Sequence, residues 1–437
     1  MQNTEKHIVV LSSPWMGHAN QLLSIAKALT SEGNGEFPIT ISFVMPGNGS
    51  DWAGNSRLVY VQLRDEDFVR EKNMWDQVQQ IFGKISIEDR NWKTEIELFK
   101  IALLTYDPLY TVTKKYLRQN TPDLCLIDRS FLAAIDAAND LKIPVILQSP
   151  IFSSLFRISG SLPHKCTGYT RPMTLNQKIH NIGLPLILLF NMLPLLYQLK
   201  KNRSRQQCSA GLRNLYRRFP ILVGSLVQDE FARAYPPNVK VVGPIMNPDR
   251  SELSPDLEKW FESADANSIV IYISFGTIGE LNQKQVDAIV EAFLDQPFRV
   301  LWSLSRQQQS MLKMIPHNFR IESWIPQAEV LRHPAVDLVI CHCGISSINE
   351  ALHFGKPILG IPFFSDHHFQ AARIIEDQCG IILNKNQLTA GGLGESVRRL
   401  ASDPVFKKNA VQKSRLIQSA NGLQHAVDFI RDKLWEG

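Results

Sequence analysis

Two short stretches of this chain hold residues whose types and spacing could do chemistry. In "SSPWMGHANQLLSIAKAL" the imidazole of His18 follows the first apolar run and stands where a helix begins. A neutral imidazole there can take a proton from an attacking hydroxyl, a step worth about 10²–10⁴-fold when the base is positioned. In "CHCGISSINE", Cys341 to Glu350, a strand-like run gives way to a helix start at Gly344, Ser346 and Ser347, residue types that cap helices well. Such a start presents unpaired N–H groups and the positive end of the helix dipole, so it suits an anion. His342 lies just ahead of that start, and the Glu350 carboxylate about one turn inside it. Asp128 closes another strand-like run, "PDLCLIDRS", where Asp128 and Ser130 also suit the N-cap of a helix over "FLAAIDAAN".

The elements that must hold these residues alternate along the chain. Apolar runs at "HIVVLSS", "ITISFVMPG", "PDLCLIDRS", "PVILQSP", "FPILVGS" and "VKVVGP" read as strands, with helical spacing between several of them. A second series follows the Pro-, Asp- and Ser-rich "GPIMNPDRSELSPD", with strands at "SIVIYISFGT", "FRVLWSLS", "VDLVICHCG" and "KPILGIP". This cadence predicts an α/β protein of two doubly wound, Rossmann-like domains facing across a cleft. The boundaries fall at 1–244 for a first domain, with a helical insertion at about 150–218, and 245–415 for a second. A last helix, about 416 to 434 within 416–437, is free to pack on either. The Leu-rich "IGLPLILLFNMLPLLY" of Ile182 to Tyr197, broken by Pro185, Asn191 and Pro194, is short for a bilayer span and predicts a buried or groove-lining helix pair. Peripheral membrane contact, helped by "KKNRSR" after it, is the lesser reading.

Composition narrows the partners. A chain of 437 residues with 47 Lys and Arg against 42 Asp and Glu is only mildly basic, and no nucleic-acid footprint stands out. Six dispersed cysteines without a C-x-x-C spacing predict neither a disulfide framework nor a zinc site. The N-terminus carries no basic and apolar leader pattern and the C-terminus is polar, so a cytoplasmic protein is expected.

From Trp324 to His367, 44 residues, the chain carries W-x-P-Q, L-x-H-P, H-C-G, S-x-x-E, G-K-P and D-H in register. This run resembles the signature box of UDP-sugar-dependent glycosyltransferases of the plant small-molecule and animal glucuronosyltransferase types, which share the GT-B fold. The resemblance implies that Trp324 stacks on uracil and that Glu350, with Gln327 nearby, takes the ribose hydroxyls. It places the diphosphate at His342, Gly344, Ser346 and Ser347, with Thr277 after "SFG" beside it, and Asp366 and His367 on the hydroxyls of the transferred sugar. It also implies that G-H-x-N carries the catalytic histidine, His18, and that Asp128 is the aspartate fixing its tautomer, as an aspartate does in hydrolase triads.

Three positions depart from the plant pattern. His367 stands where Gln is usual, a change associated with galactose donors; Ile345 replaces a tryptophan; Ser346 replaces an amide. The donor hexose therefore stays open, with glucose and galactose ahead of any other hexose. The expectation is an inverting UDP-glycosyltransferase acting on a hydroxyl of a small lipophilic acceptor, with Phe152, Phe156 and the Leu-rich segment lining its cleft. No metal is expected, since no D-x-D ends any of the strands read above, and no cofactor beyond the donor. Alternatives are a UDP-sugar epimerase, a non-enzymatic UDP-sugar binder, and a membrane-associated lipid or sterol glycosyltransferase.

Overall fold

Two parallel sheets are built from these alternating runs. The computed structural model describes residues 5–13, 16–31, 39–46, 58–64, 68–87, 92–152, 156–208, 210–226, 235–247, 251–265, 268–276 and 279–435. The first sheet contains β1 (Lys6–Leu11), β2 (Ile39–Pro46), β3 (Leu58–Leu63), β4 (Leu124–Asp128), β5 (Val145–Ser149), β6 (Ile221–Val223) and β7 (Val239–Val241). Their order is β3-β2-β1-β4-β5-β6-β7, all parallel. The second sheet contains β8 (Ile269–Ser274), β9 (Phe298–Ser303), β10 (Phe319–Glu322), β11 (Val336–Cys341), β12 (Ile358–Gly360) and β13 (Gly380–Ile382). Their order is β10-β9-β8-β11-β12-β13, again parallel.

Both sheets are covered on both faces, which is why stretches such as Ile8–Leu11 and Ile269–Ile273 are continuous apolar runs rather than alternating ones. Ile8 and Val10 face one cluster and Val9 and Leu11 the other, all fully buried. In the second sheet Ile271 and Ile273 pack against one layer and Val270 and Tyr272 against the opposite one. Strand order reverses between β1 and β4 in the first sheet and between β8 and β11 in the second. Chain leaving neighbouring strands in opposite directions opens a crevice at their carboxyl ends, where ligands of such sheets bind.

Three features differ from the sequence reading. The expected helix at about 416–434 is two helices, Pro404–Ala420 and Gly422–Trp435, broken at Asn421 in the left-handed region, φ 45°. The second returns to the first sheet, where Ala426, Val427, Ile430 and Leu434 join the cluster around Ile8 and Leu22. The expected helix pair in the insertion is one helix, Leu175–Arg205, running through Pro185 and Pro194. Only one face of it is buried: Leu184, Leu188 and Met192 are covered, while Leu186, Phe190 and Leu193 are 54%, 76% and 52% exposed. Asp128 and Ser130 do not cap the following helix, Leu132–Asp140, whose N-cap is Phe131 without a side-chain bond. The Asp128 carboxylate is engaged elsewhere.

Candidate active site

His18 lies in the first turn of the Met16–Ser31 helix, directly after β1, and Asp128 is the last residue of β4. Because β1 and β4 pair in register, Leu11 beside Ile127, the strand order itself brings the two side chains together. His18 Nδ1 is 3.1 Å from the Asp128 carboxylate. Asp128 is fully buried, and its oxygens also accept from the Ser13 hydroxyl, the Ser130 N–H at 3.0 Å and the Ser130 hydroxyl at 2.8 Å. Burial alone would raise its pKa, but His18, Ser13 and Ser130 outweigh that and hold it at about 2. Asp128 is therefore a fixed anion. For His18, burial opposes the proton, yet the Asp128 carboxylate prevails and the pKa rises above 6.5. With Nδ1 turned to Asp128, Nε2 is left for an incoming hydroxyl, and the side chain is 38% exposed.

The second constellation gathers at the switch point of the other sheet. The Ile345–His353 helix follows β11 with Gly344 at its N-cap. His342 sits between β11 and this helix, pressed between two glycines. A Cβ at Gly276 would fall 2.8 Å from His342 Cε1, and one at Gly344 would fall 2.5 Å from Nε2. Gly276 also has φ +71°, where a side chain is strained. Burial, then the neighbouring His367, pushes the His342 pKa down to about 3. It is a neutral donor rather than a cation, and its Nδ1 is buried without a hydrogen-bond partner among the described residues.

Gln327 opens the Gln327–Arg332 helix, where its Nε2 donates to Glu350 Oε2 at 2.5 Å and its Oε1 accepts from the Tyr272 hydroxyl at 3.2 Å. Burial raises the Glu350 pKa against this bond from Gln327. Trp324, on the loop ahead of that helix, is 74% exposed, an unusual state for a tryptophan and one that leaves a ring face open. Asp366 stands half-buried at the start of the His367–Glu376 helix without a side-chain cap bond. The buried His367 ring packs on Phe364 and lies 4.7 Å from the His342 ring centroid. Thr277 lies outside the described residues.

The two constellations meet. The Ser346 hydroxyl, at the helix start, donates to the Gly17 carbonyl at 3.3 Å, next to His18. Asp366 acts electrostatically on His18 from the second sheet's side. A further bridge was not legible in the sequence: Glu95, on the Lys93–Asn120 helix, accepts from the Ser365 hydroxyl at 2.6 Å and pairs with Lys165 at 2.9 Å. Lys165 also acts electrostatically on His18, and its own pKa is raised because Glu95, with Cys166 and Asp366, outweighs its burial. Ser13 and Ser130 were missed as well, although each is near its partner strand's end; Glu95 and Ser365 are 270 positions apart, which no local pattern reveals. All six cysteines are free, and among the described residues no group of three or more His, Cys, Asp or Glu is placed to hold a metal ion.

Two doubly wound sheets with a site between their switch points define the GT-B glycosyltransferase architecture. The family described as "UDP-glucoronosyl and UDP-glucosyl transferase" matches residues 148–431, and the chain belongs to it. The human UDP-glucuronosyltransferase 2A2 is 29% identical over 203 residues, which are 46% of this chain and 37% of that enzyme's own length. The chain thus matches well under half of that relative. UDP-glycosyltransferase 1 of Phaeomoniella chlamydospora is 29% identical over 378 residues, 79% of this chain and 76% of that protein. Among solved structures, UGT2 of Phytolacca americana, complexed with UDP-2fluoro-glucose and pterostilbene, superposes with a TM-score of 0.66 at 18% identity, covering 99% of this chain and all of that one. At that identity the likeness speaks for the fold.

Proposed function

We propose that this protein is an inverting glycosyltransferase that moves a hexose, glucose or galactose, from a UDP-sugar to a hydroxyl of a small lipophilic acceptor. The observation that carries this reading is the Ser346–Gly17 contact, which sets His18 at the mouth of an anion-binding helix start. His18 Nε2 takes the acceptor proton as the acceptor oxygen bonds to the anomeric carbon. The bond from that carbon to the phosphate oxygen breaks with its electron pair, and UDP departs as an anion. Asp128 holds the imidazole tautomer and stabilises the imidazolium.

The leaving diphosphate takes its stabilisation from the N–H groups opening the Ile345–His353 helix, from Ser347 and from neutral His342. Glu350, steadied by Gln327, has an oxygen left to accept from a ribose hydroxyl pair, and the exposed Trp324 ring offers the uracil a face. Asp366 is the acceptor for sugar hydroxyls; His367, buried beside His342, shapes that pocket from behind. The bound small molecules of the Phytolacca americana structure support the substrate classes. An attack from the face opposite the departing UDP inverts the anomeric centre, and no step here calls for a metal ion.

The test is a panel of UDP-sugars incubated with phenolic, terpenoid and sterol acceptors, read by mass spectrometry with a chelator arm. Transfer to an acceptor, undiminished by chelator and with inverted anomeric configuration by NMR, supports the reading. A new UDP-sugar formed without any acceptor would instead identify an epimerase, and donor binding without turnover on any acceptor a non-catalytic binder.

A further inference from the structure

From Leu141 to Gln228 the chain contains no Asp or Glu and twelve Lys and Arg. The remainder holds 35 Lys and Arg against 42 Asp and Glu, a net of −7, so the mild +5 of the whole conceals a strongly segregated charge. Segregation of this kind concerns what a surface meets rather than how the chain folds.

The Leu175–Arg205 helix occupies the middle of this segment. Its buried face is narrow: Asn181, Leu184, Leu188, Met192 and Leu199 follow one stripe toward the body of the protein. The opposite face is also apolar. Leu175, Ile179, Ile182, Leu186, Leu189 and Leu193 recur at intervals of four and three and are 73%, 62%, 41%, 54%, 39% and 52% exposed. Phe190 and Tyr197 extend the stripe at 76% and 61%. At 1.5 Å per residue the stripe is about 33 Å long. A soluble surface seldom leaves so long a continuous apolar patch uncovered.

By length and composition this helix could cross a membrane. Its two ends are tied down instead. Thr174 and Gln177 form a capping box, and Asn181 holds the carbonyls of Ser159 and Leu162 at 2.7 and 2.9 Å. Arg203 grips the buried Asp136 with two bonds of 2.8 and 2.7 Å. A helix held along one face to its own domain lies on a bilayer, not through it. Cations mark the far end: Lys200 and Lys201 are exposed, and a hollow of about 570 Å³ beyond them is lined by Lys114, Lys115, Arg118 and Arg205.

The geometry points to this face as a docking surface for an anionic lipid bilayer. The apolar stripe enters the boundary between headgroups and acyl chains, and the basic end meets the headgroup phosphates. The docking holds whatever reaction the cleft performs. One consequence rests on the proposed transfer reaction: the loop preceding the helix is stapled to it by His164 N–H to Asn181 Oδ1 at 2.6 Å, and the same loop brings Lys165 to Glu95, close enough to act on His18. A lipophilic acceptor dissolved in the bilayer would then enter beside the docked helix.

The test is co-sedimentation of the full chain with phosphatidylcholine vesicles, with and without phosphatidylserine, in the absence of donor and acceptor, so that it fails or succeeds independently of catalysis. The expected result is binding to the anionic vesicles at least about tenfold stronger than to the neutral ones and weakened by salt. The Phe190→Glu/Leu193→Glu double variant, altered only at exposed positions, should lose at least about tenfold of that binding with its circular dichroism unchanged. Lys200→Glu/Lys201→Glu should lose the preference for anionic vesicles while keeping the weaker neutral binding. A full chain that stays in the supernatant, or a Phe190→Glu/Leu193→Glu variant that pellets like its parent, overturns the proposal. So does a dimer in sedimentation velocity that this variant converts to monomer without any vesicle binding, because the stripe's occupant is then a second copy.

Discussion

The Ser346 hydroxyl reaches the Gly17 carbonyl across 329 residues of sequence, joining the start of one domain's helix to the backbone beside the other domain's histidine. A neutral hydrogen bond of this kind is worth about 0.5–1.5 kcal/mol, so Ser346→Ala should lower kcat/KM only about two- to tenfold. Ser346→Glu should do far more. A carboxylate at the helix start competes with the diphosphate for the same dipole, and the KM for a UDP-sugar should rise at least about a hundredfold in initial-rate measurements.

The His18–Asp128 pair predicts a pH profile. His18 serves as a base only when neutral, so kcat/KM should climb with pH through an inflection above 6.5, the direction in which Asp128 moves it. Asp128→Asn removes that influence and leaves burial, which should drop the inflection below 6.5 while cutting the rate on the order of 10³–10⁴-fold. His18→Ala should cost about 10²–10⁴-fold with UDP affinity by calorimetry unchanged. Stability runs opposite to activity. The raised His18 pKa adds stability below its unfolded value of about 6.5, and that contribution is lost as pH rises through the folded value.

Glu350 and Gln327 should separate binding from chemistry. Hydrogen bonds to a charged group contribute about 1.5–3 kcal/mol, so Glu350→Ala should raise the donor KM roughly ten- to a hundredfold and leave kcat close to its parent value. Gln327→Ala should have a smaller effect. It also frees Glu350 from the bond that opposes burial, and the carboxylate pKa, followed by NMR, should move further up.

Gly276 combines a close approach to His342 with a left-handed backbone. An alanine there meets His342 Cε1 at 2.8 Å in a left-handed backbone, so Gly276→Ala should lower the melting temperature and weaken donor binding together. Gly391→Ala is the control. Among the described residues its Cβ meets nothing within 4 Å, and in the Ala390–Ser402 helix it should stabilise by about 0.5–1 kcal/mol without touching donor affinity.

Central elements were legible in the sequence because their burial on both faces writes a continuous apolar run. The three strands that were not, β3, β10 and β13, all lie at sheet edges, and most of their side chains are only partly buried. Partial burial mixes polar residues into the strand and erases its signal. The Lys93–Asn120 helix was hidden similarly, with Pro108 inside it and polar residues throughout. Motif residues such as Glu350 and His342 stood out through one compact run. Ser365, inside that run, was passed over because its partner Glu95 belongs to the hidden helix. The exposed face of Leu175–Arg205 was misjudged for another reason: apolar spacing reveals a stripe but not which side of the helix the body of the protein covers.

The chain passes between its two lobes twice, once after β7 and once between the Pro404–Ala420 and Gly422–Trp435 helices, and both passages touch. A Cβ on Gly243, at φ +105°, would come within 2.8 Å of Ala420 Cβ, while Gly422 lies directly against the Gly243 backbone. Two passages of chain that touch at one spot share their fate: a side chain added at Gly243 would push on Ala420 and Gly422 together, so one substitution there should loosen both links between the lobes.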